Sequence, residues 1–397
     1  MSLRRVANNP PHVSVRPDGK LLWLHATSTQ RLIALRDVAT RLCGLYPDLS
    51  VISTWEPGVG ALKSPNPREI LIGVLAEDLP SEMRLFLDTW APDLCIWAGG
   101  NLRRTLTRYL AEADVPTLLT DIEVDELPSR ASRWWPDHRT RLLNSFSAIL
   151  SPSKQVSETL QRTGIPAHRI TVTGPLSQSP LPPTCSHENL NEMQAVLSGR
   201  PVWLASHVKL EELTTILNAH RKALKLLHRL LLIVSLENWA DLEAARAIIR
   251  GTGLNFADWD TGEEPVETQQ VLLSDRDDIG LWYRVSPVTL IGGSLERKFT
   301  GNTPLDAAAL GSAVLYGKGI SDHVGVYRAL RESGAAAQVR SMGELADEVI
   351  RLSSPDAAAE MALAGWNYVT QGSRTTDRLL EIAQDLLDMP DIGDETT

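Results

Sequence analysis

Short apolar runs rich in Leu, Ile and Val alternate with longer amphipathic stretches along most of the chain. This alternation is typical of parallel β/α units, in which a buried strand is followed by a surface helix. It predicts strands at residues 21–25, 50–54, 70–74, 94–98, 117–120, 148–151 and 169–173, and then at 202–205, 230–234, 271–273, 288–291, 313–315 and 336–339. Residues 31–46, 81–90, 102–113 and 153–163 have the spacing of amphipathic helices.

A proline-rich segment, residues 174–184, interrupts the pattern and cannot sustain a strand ladder. We therefore predict a domain at 1–176, a linker at 177–189, a second domain at 190–370, and a helix with an acidic tail at 371–397. Residues 356–369 and 375–387 are predicted as two separate helices. The fold class is α/β, with two Rossmann-like parallel-sheet domains whose strand ends face a central ligand cleft.

The charge balance excludes a broad nucleic-acid-binding surface, because 39 Lys and Arg stand against 49 Asp and Glu, a net charge of −10. The three cysteines share no short spacing, which predicts neither a disulfide framework nor a zinc site. No apolar run is long enough to span a bilayer. We expect a cytoplasmic protein without an integral membrane segment, a metal or a resident cofactor. The sequence does not indicate an oligomeric state.

One glycine loop is the strongest local signal. The strand at 288–291 is followed by Gly292, Gly293 and Ser294, and then by Asn302-Thr303-Pro304-Leu305-Asp306 before an Ala-rich stretch. Thr303 as N-cap, Pro304 as the first and Asp306 as the third helical residue predict a helix start here. Its free N–H groups suit an anionic ligand group, and a capped helix without a ligand is the alternative.

Polar residues follow other predicted strands. Ser206 and His207 come after the first strand of the second domain, a position that suits phosphate, although a structural histidine is the commoner outcome. After the first strand of the chain, the hydroxyls of 27–29 with Gln30 are suited to capping the next helix. Glu56 and the acids of 121–126 also follow strands, and such acids either supply a general base or form a solvated loop.

Several blocks resemble the Kdo (3-deoxy-D-manno-octulosonic acid) transferases of lipopolysaccharide biosynthesis, glycosyltransferases of the two-domain GT-B architecture. The blocks are collinear and lie at 16–28, 92–94, 146–153, 171–176, 203–207, 219–221, 291–295 and 302–311. The resemblance covers nearly the whole chain and implies the GT-B fold and a metal-free transfer from a nucleotide-activated sugar, CMP-linked and acidic in the family, to an unknown acceptor.

The departures from the family fall on functional positions. The family's first block ends in a catalytic Glu, where this chain has Arg31, and a guanidinium cannot act as a general base near neutral pH. Two acids of the family block at 98–103 are also missing, as is a basic turn at 235–237. Only part of the family's S-T-H-E-G-E-E block is kept, at residues 206–212. The family's N-terminal membrane anchor is also absent, and its absence suggests a soluble acceptor or peripheral contact with a lipid surface.

The resemblance implies roles residue by residue. The second domain would hold the donor through Ser206, His207, Gly292, Gly293, Ser294, Asn302, Thr303 and Asp306. Replacement base candidates are Glu56, Asp121, Glu123 and His25. Arg31, with Ser28 and Gln30, would hold a carboxylate or phosphate of a substrate. The alternatives are a catalytically silent module that binds a sugar nucleotide or a partner protein, and an enzyme that uses a UDP- or GDP-sugar.

Overall fold

The computed structural model describes residues 15–59, 64, 66–128, 138–179, 182–197, 199–274 and 277–389. The chain forms two compact units. The first unit comprises Met1–Ser179 together with Gln371–Thr397, and the second comprises Pro180–Thr370. The chain leaves the first unit within the predicted linker, and its last segment returns to the first unit.

The first unit contains a parallel sheet of seven strands in the order β3-β2-β1-β4-β5-β6-β7. The strands are β1 Leu21–Ala26, β2 Ser50–Trp55, β3 Glu69–Val74, β4 Leu94–Ala98, β5 Thr117–Thr120, β6 Ala148–Ser151 and β7 Ile170–Val172. The helices are α1 Thr29–Leu45, α2 Pro80–Trp90, α3 Arg104–Glu112, α4 His138–Asn144 and α5 Lys154–Arg162. All seven predicted strands of this half are present.

The alternate side chains of β1 show that the sheet is buried on both faces. Leu22 and Leu24 pack into one apolar cluster, and Leu21 and Trp23 pack into the cluster on the other face. Because both faces are covered, the strand is a continuous apolar run rather than an alternating one. The same geometry brings the carboxyl ends of β1, β2, β4 and β5 to one edge of the sheet.

The second unit repeats this design with the strand order β10-β11-β9-β8-β12-β13-β14, again all parallel. Its strands are β8 Val202–Val208, β9 Leu231–Leu236, β10 Phe256–Asp258, β11 Val271–Ser274, β12 Val288–Ile291, β13 Ala313–Tyr316 and β14 Ala336–Gln338. Its helices are α6 His187–Leu197, α7 Leu210–Leu224, α8 Leu242–Thr252, α9 Ile279–Val285, α10 Leu305–Ala309, α11 Val324–Glu332 and α12 Met342–Leu352. The predicted fold class of two Rossmann-like parallel-sheet domains is confirmed, whereas the cleft between them stays a prediction.

Three local predictions were wrong. The edge strand β10 was missed, because three residues are too few to form an apolar run. Residues 356–369 and 375–387 form parts of one helix, α13 Pro355–Leu387, in which Gly372 lies against Ser177. The helix after the glycine loop has only five residues, and its N-cap is Pro304 rather than Thr303. Since Pro304 has no N–H, the Thr303 hydroxyl accepts from the Leu305 N–H instead (3.4 Å).

None of the helices in the described ranges combines the length and apolar character needed to cross a bilayer.

A buried histidine gives the second unit a pH-dependent stability. His220 Nε2 bonds the Gln270 carbonyl (2.8 Å) and its Nδ1 accepts from Trp203 Nε1 (3.2 Å). Burial lowers the pKa of His220 from 6.5 to about 4. Because the folded state resists protonation, this contribution to stability is present above pH 6.5 and is lost as the pH falls towards 4.

We expect the second unit to lose about 3 kcal/mol more between pH 7.5 and pH 4 in the parent chain than in a His220→Gln variant. Denaturant unfolding at several pH values measures this difference, and comparing the two chains cancels the other groups that titrate there. If the free energy of unfolding changed equally with pH in the two chains, His220 would not be the source of this pH dependence.

Candidate functional site

Arg31 lies in the first turn of α1, at the carboxyl edge of the first sheet, where the Ser28 hydroxyl caps the helix by accepting the Arg31 N–H (3.3 Å). Its guanidinium is surrounded by acceptors. Nε donates to Asp121 Oδ2 (2.9 Å), Nη1 to Thr27 Oγ1 (2.7 Å) and Glu126 Oε1 (2.5 Å), and Nη2 to the Asp121 carbonyl (2.6 Å) and Glu126 Oε2 (2.8 Å). These bonds use all five N–H groups that an arginine has.

A glycine pair makes room for this cluster. A Cβ at Gly99 would lie 2.0 Å from Thr27 Oγ1 and 2.5 Å from Arg31 Nη1, and one at Gly100 would lie 2.6 Å from the Glu126 Cβ. Gly99 also has a positive φ of 97°, which a residue with a side chain rarely adopts. A side chain at Gly99 would therefore collide with Thr27 and Arg31, and one at Gly100 would collide with Glu126.

The predicted role of Arg31 as a ligand-holding group is at odds with this geometry, because no N–H of its guanidinium remains free. The Ser28 hydroxyl serves the helix cap, and Gln30 is exposed on the first turn. Burial raises the pKa of Glu126, but the hydrogen bonds and charge of Arg31, together with the backbone N–H groups of Glu123 and Gly100, leave it below its usual value. Burial raises the pKa of Asp121, and the Arg31 bond only partly offsets this.

His25 and Glu56 form a second polar group at the same edge. The Glu56 carboxylate accepts from Arg103 Nη2 (2.8 and 3.1 Å), and Glu56 Oε1 lies 3.4 Å from His25 Nε2. His25 Nδ1 is 2.9 Å from Thr54 Oγ1. Burial lowers the pKa of His25, which therefore stays neutral near pH 7. Burial raises the pKa of Glu56, but the neighbouring His25 imidazole and the Arg103 guanidinium hold it below the usual value.

These contacts limit what the two residues can do as bases. His25 is fully buried and Glu56 is 8% exposed, so neither presents a free proton acceptor to solvent. Asp121, also 8% exposed, has both carboxylate oxygens engaged, by Arg31 and by the Leu176 N–H (2.9 Å). Arg103 was not identified from the sequence, because its partner Glu56 lies 47 residues away.

Glu123 differs from the other base candidates. It is exposed, and in the described part of the chain its carboxylate makes no hydrogen bond or ion pair. Partial burial raises the pKa of Glu123, and the charges of Asp121 and Glu126 raise it further. A raised pKa brings a carboxylate closer to the range in which a general base works best.

In the second unit, the glycine loop after β12 is occupied by a carboxylate of the protein itself. Glu212, buried near the start of α7, accepts the N–H groups of Gly293 (2.6 Å), Leu295 (2.7 Å) and Lys209 (3.2 Å). Burial raises the pKa of Glu212, which these N–H groups partly offset. The amides of Gly293 and Leu295, which precede the helix start predicted to bind an anionic group, thus already have an acceptor within the protein.

Most of the predicted donor-binding residues here shape the loop. Ser294 Oγ bonds the Ile291 carbonyl and the Gly317 N–H, and Ser206 Oγ bonds the Leu290 carbonyl, both side chains being fully buried. A Cβ at Gly292 would lie 2.6 Å from the Ser206 and His207 carbonyl oxygens. Asn302 Nδ2 donates to the Gly292 carbonyl (3.3 Å).

His207 and Asp306 are less buried than Ser206, Ser294 and the two glycines of the loop. His207 is half-buried and has a positive φ of 52° where β8 bulges away from β9. Asp306 is half-buried at the start of α10, and its carboxylate has no partner among the described residues. Burial raises the pKa of Asp306 to about 6.

The two sheets and their polar strand ends define a two-domain α/β protein of the kind that binds small ligands at the carboxyl edges of its strands. Residues 3–178 match the family model described as 3-deoxy-D-manno-octulosonic-acid transferase. The Kdo transferase of Haemophilus influenzae is 23% identical over 381 residues, which cover 94% of this chain and 88% of that protein. A probable mitochondrial Kdo transferase of Arabidopsis thaliana is also 23% identical, over 86% of this chain and 79% of its own length.

By sequence, the chain is thus similar to Kdo transferases over most of its length, and the resemblance found in the motifs is confirmed. Among solved structures, MurG of Acinetobacter baumannii aligns with a TM-score of 0.49 and 13% identity, over 92% of this chain and 100% of that one. The C-terminal CMP-Kdo binding domain of WaaA from Acinetobacter baumannii aligns with a TM-score of 0.39 and 18% identity, over 51% of this chain and 100% of that one.

Proposed function

We propose that the protein is a glycosyltransferase that moves an acidic sugar, as the relatives' name suggests, from a nucleotide donor to an acceptor still to be identified. The donor in this proposal is CMP-linked, as the family resemblance of the motifs implies. The observation that carries this proposal is the alignment with Kdo transferases over 94% of the chain, which includes both sheets. In this proposal the second unit holds the donor and the first unit holds the acceptor. No resident metal or cofactor takes part.

The donor site of this proposal is centred on Asp306 and His207. A carboxylate without a protein partner is a suitable acceptor for the hydroxyl groups of a ribose, and the imidazole of His207 can donate to a phosphate oxygen. Asn302 and Thr303 flank the same loop. Ser206, Gly292, Gly293 and Ser294 contribute by fixing the backbone rather than by direct contact.

Thermal-shift measurements with CMP, UDP and GDP test the donor proposal. A nucleotide at 100 times its dissociation constant adds about 2.7 kcal/mol of stability, so we expect CMP to raise the melting temperature and Asp306→Asn to weaken that response. A response to UDP or GDP alone would assign the donor to an ordinary nucleotide sugar. The absence of any response would overturn the donor site.

The base in this proposal is Glu123. Inverting transfer needs a group that removes the acceptor's hydroxyl proton while positive charge or dipoles receive the departing phosphate. Among the four candidates, Glu123 is the one whose carboxylate is exposed and unengaged in the described residues. In this proposal His25, Glu56 and Asp121 have structural roles at the same edge of the sheet.

We expect Glu123→Gln to lower sugar transfer about 100-fold or more without changing nucleotide binding, since the amide cannot accept the proton. The matched control is Asp125→Asn, which removes a neighbouring exposed carboxylate two residues away. Release of nucleotide in the presence of acceptor measures the effect. Equal rates for Glu123→Gln and the parent chain would remove Glu123 from the mechanism.

A catalytically silent module is the second candidate, and one observation favours it. Five hydrogen bonds hold the Arg31 guanidinium in a structural ion pair, at the position where the motif resemblance implies the family's catalytic Glu. In that case the nucleotide would still bind and stabilise the chain, but no sugar would be transferred.

A further inference from the structure

A cavity of about 470 Å³ opens at the carboxyl edge of the second sheet. Three loops form its wall. Arg297 and Phe299 follow β12, Lys318 and Ser321 follow β13, and Arg340 follows β14. The carboxyl edge of a parallel sheet is where α/β proteins bind ligands, and the volume is within the usual range for small-molecule sites.

Three cations of this wall are not neutralised by the protein. In the described part of the chain, the side chains of Arg297, Lys318 and Arg340 form no ion pair or hydrogen bond, and all three are exposed. Two nearby lysines differ: Lys298 pairs with Glu296 (3.0 Å) and Lys209 with Glu237 (2.5 Å). Three unpaired positive charges around one cavity are notable in a chain of net charge −10.

Two acids near this wall have hydrogen-bond partners other than its cationic side chains. Asp322 accepts from the Ser321 hydroxyl (3.3 Å), and Glu344 accepts from the backbone N–H of Arg340 (2.8 Å). Neither carboxylate is hydrogen-bonded to a cationic side chain of the wall. The cavity therefore keeps its positive charge for a ligand.

The wall is preformed, because its loops are joined by backbone contacts. The Gly319 N–H donates to the Ser294 carbonyl (2.7 Å), and the Asp322 N–H donates to the Thr300 carbonyl (3.3 Å). A Cβ at Gly301 would lie 2.7 Å from the Gly319 oxygen, so the first two loops pack backbone against backbone. A preformed wall lowers the cost of ordering the site when a ligand binds.

We propose that this cavity binds the phosphate or carboxylate group of a small molecule. Lys318 supplies a mobile ammonium, and Arg297 and Arg340 supply guanidinium forks that match the paired oxygens of either group. Phe299, Ile320 and Val324 provide an apolar wall for the rest of the ligand. None of the predicted donor-binding residues lines this cavity, although Arg297 and Phe299 belong to the loop that follows the glycines, and the inference does not depend on the proposed donor.

Calorimetric titration of the full chain at low salt tests the site, with inorganic pyrophosphate and glucose 6-phosphate as phosphate probes and glucuronate as the carboxylate probe. We expect at least one probe to bind and the Lys318→Ala/Arg340→Ala double variant to bind it about tenfold or more weakly. The control is Arg328→Ala, which removes an exposed arginine of α11 that does not line the cavity.

Each outcome decides the proposal. Binding of the phosphate probes or of glucuronate, lost in the double variant and kept in Arg328→Ala, supports the site and identifies the anionic group. Failure of all three probes to bind the parent chain overturns it. So does unchanged affinity in the double variant, whose fold is checked by its melting temperature, since both replaced side chains are exposed.

Discussion

Replacement of Arg31 by alanine is expected to lower the free energy of unfolding of the first unit by about 3–5 kcal/mol. Removing one partner of a buried ion pair leaves the other charges without compensation. Here the Arg31, Asp121 and Glu126 side chains are only 12%, 11% and 27% exposed. Arg31→Glu is expected to cost more, because it would place a third carboxylate against two existing ones. Denaturant unfolding of each variant measures the loss.

The control for this prediction is Arg108→Ala. Arg108 pairs with Glu112 at 3.5 Å on the surface of α3, where both side chains are 60% exposed, and such pairs contribute about 0–1 kcal/mol. A double-mutant cycle between Arg31→Ala and Glu126→Ala should also give a coupling energy above about 0.5 kcal/mol. Additive effects in the cycle, or a loss as small as that of Arg108→Ala, would show that Arg31 is not held by this cluster.

The same cluster affects any attempt to restore the family's acid. The Arg31→Glu exchange would first lower the stability of the first unit, since Asp121 and Glu126 surround the position. A loss of activity in that variant would therefore carry little information about catalysis unless its melting temperature were unchanged.

Glu212→Gln is expected to destabilise the second unit by about 3 kcal/mol or more. The Glu212 carboxylate accepts three backbone N–H groups, and the glutamine amide would turn a donor towards some of them. Each buried donor left without an acceptor costs about 1–3 kcal/mol. The loss is measured by denaturant unfolding of the full chain.

Glu211→Gln is the matched control for this second prediction. Glu211 is the preceding residue of α7 but is exposed, so its replacement should change stability by no more than about 0.5 kcal/mol. If the two variants had equal stability, the glycine loop would not depend on Glu212, and its amides would again be available to a ligand.

The strands were predictable from the sequence because sheets covered on both faces require continuous apolar runs, as in β1 and β9. Charged contacts between distant elements were not predictable. The acids that hold Arg31 lie 90 and 95 residues further along the chain, and no local pattern links them to it. The glycines at 99 and 100 were the available signal, since a glycine pair at a strand end indicates a close approach by another group.

Glu212 left a clearer signal in the sequence than Arg31. It is the third residue of α7, and an acid at that position commonly bonds the N–H of the N-cap residue, as it does here with Lys209. Its bonds to the loop after β12, 81 residues away, could not be foreseen. The sequence analysis placed its candidate anion site at the helix start after residue 303 and did not reveal that Glu212 binds the loop amides before it.

The most direct test of the proposed function is the release of nucleotide from a CMP-linked acidic sugar by the full chain, followed by mass spectrometry. We predict release above the rate in buffer alone, and a rate about 100-fold or more lower for Glu123→Gln at equal nucleotide binding. Tight binding of CMP with no release above buffer would contradict catalysis and identify the protein as a silent sugar-nucleotide-binding module.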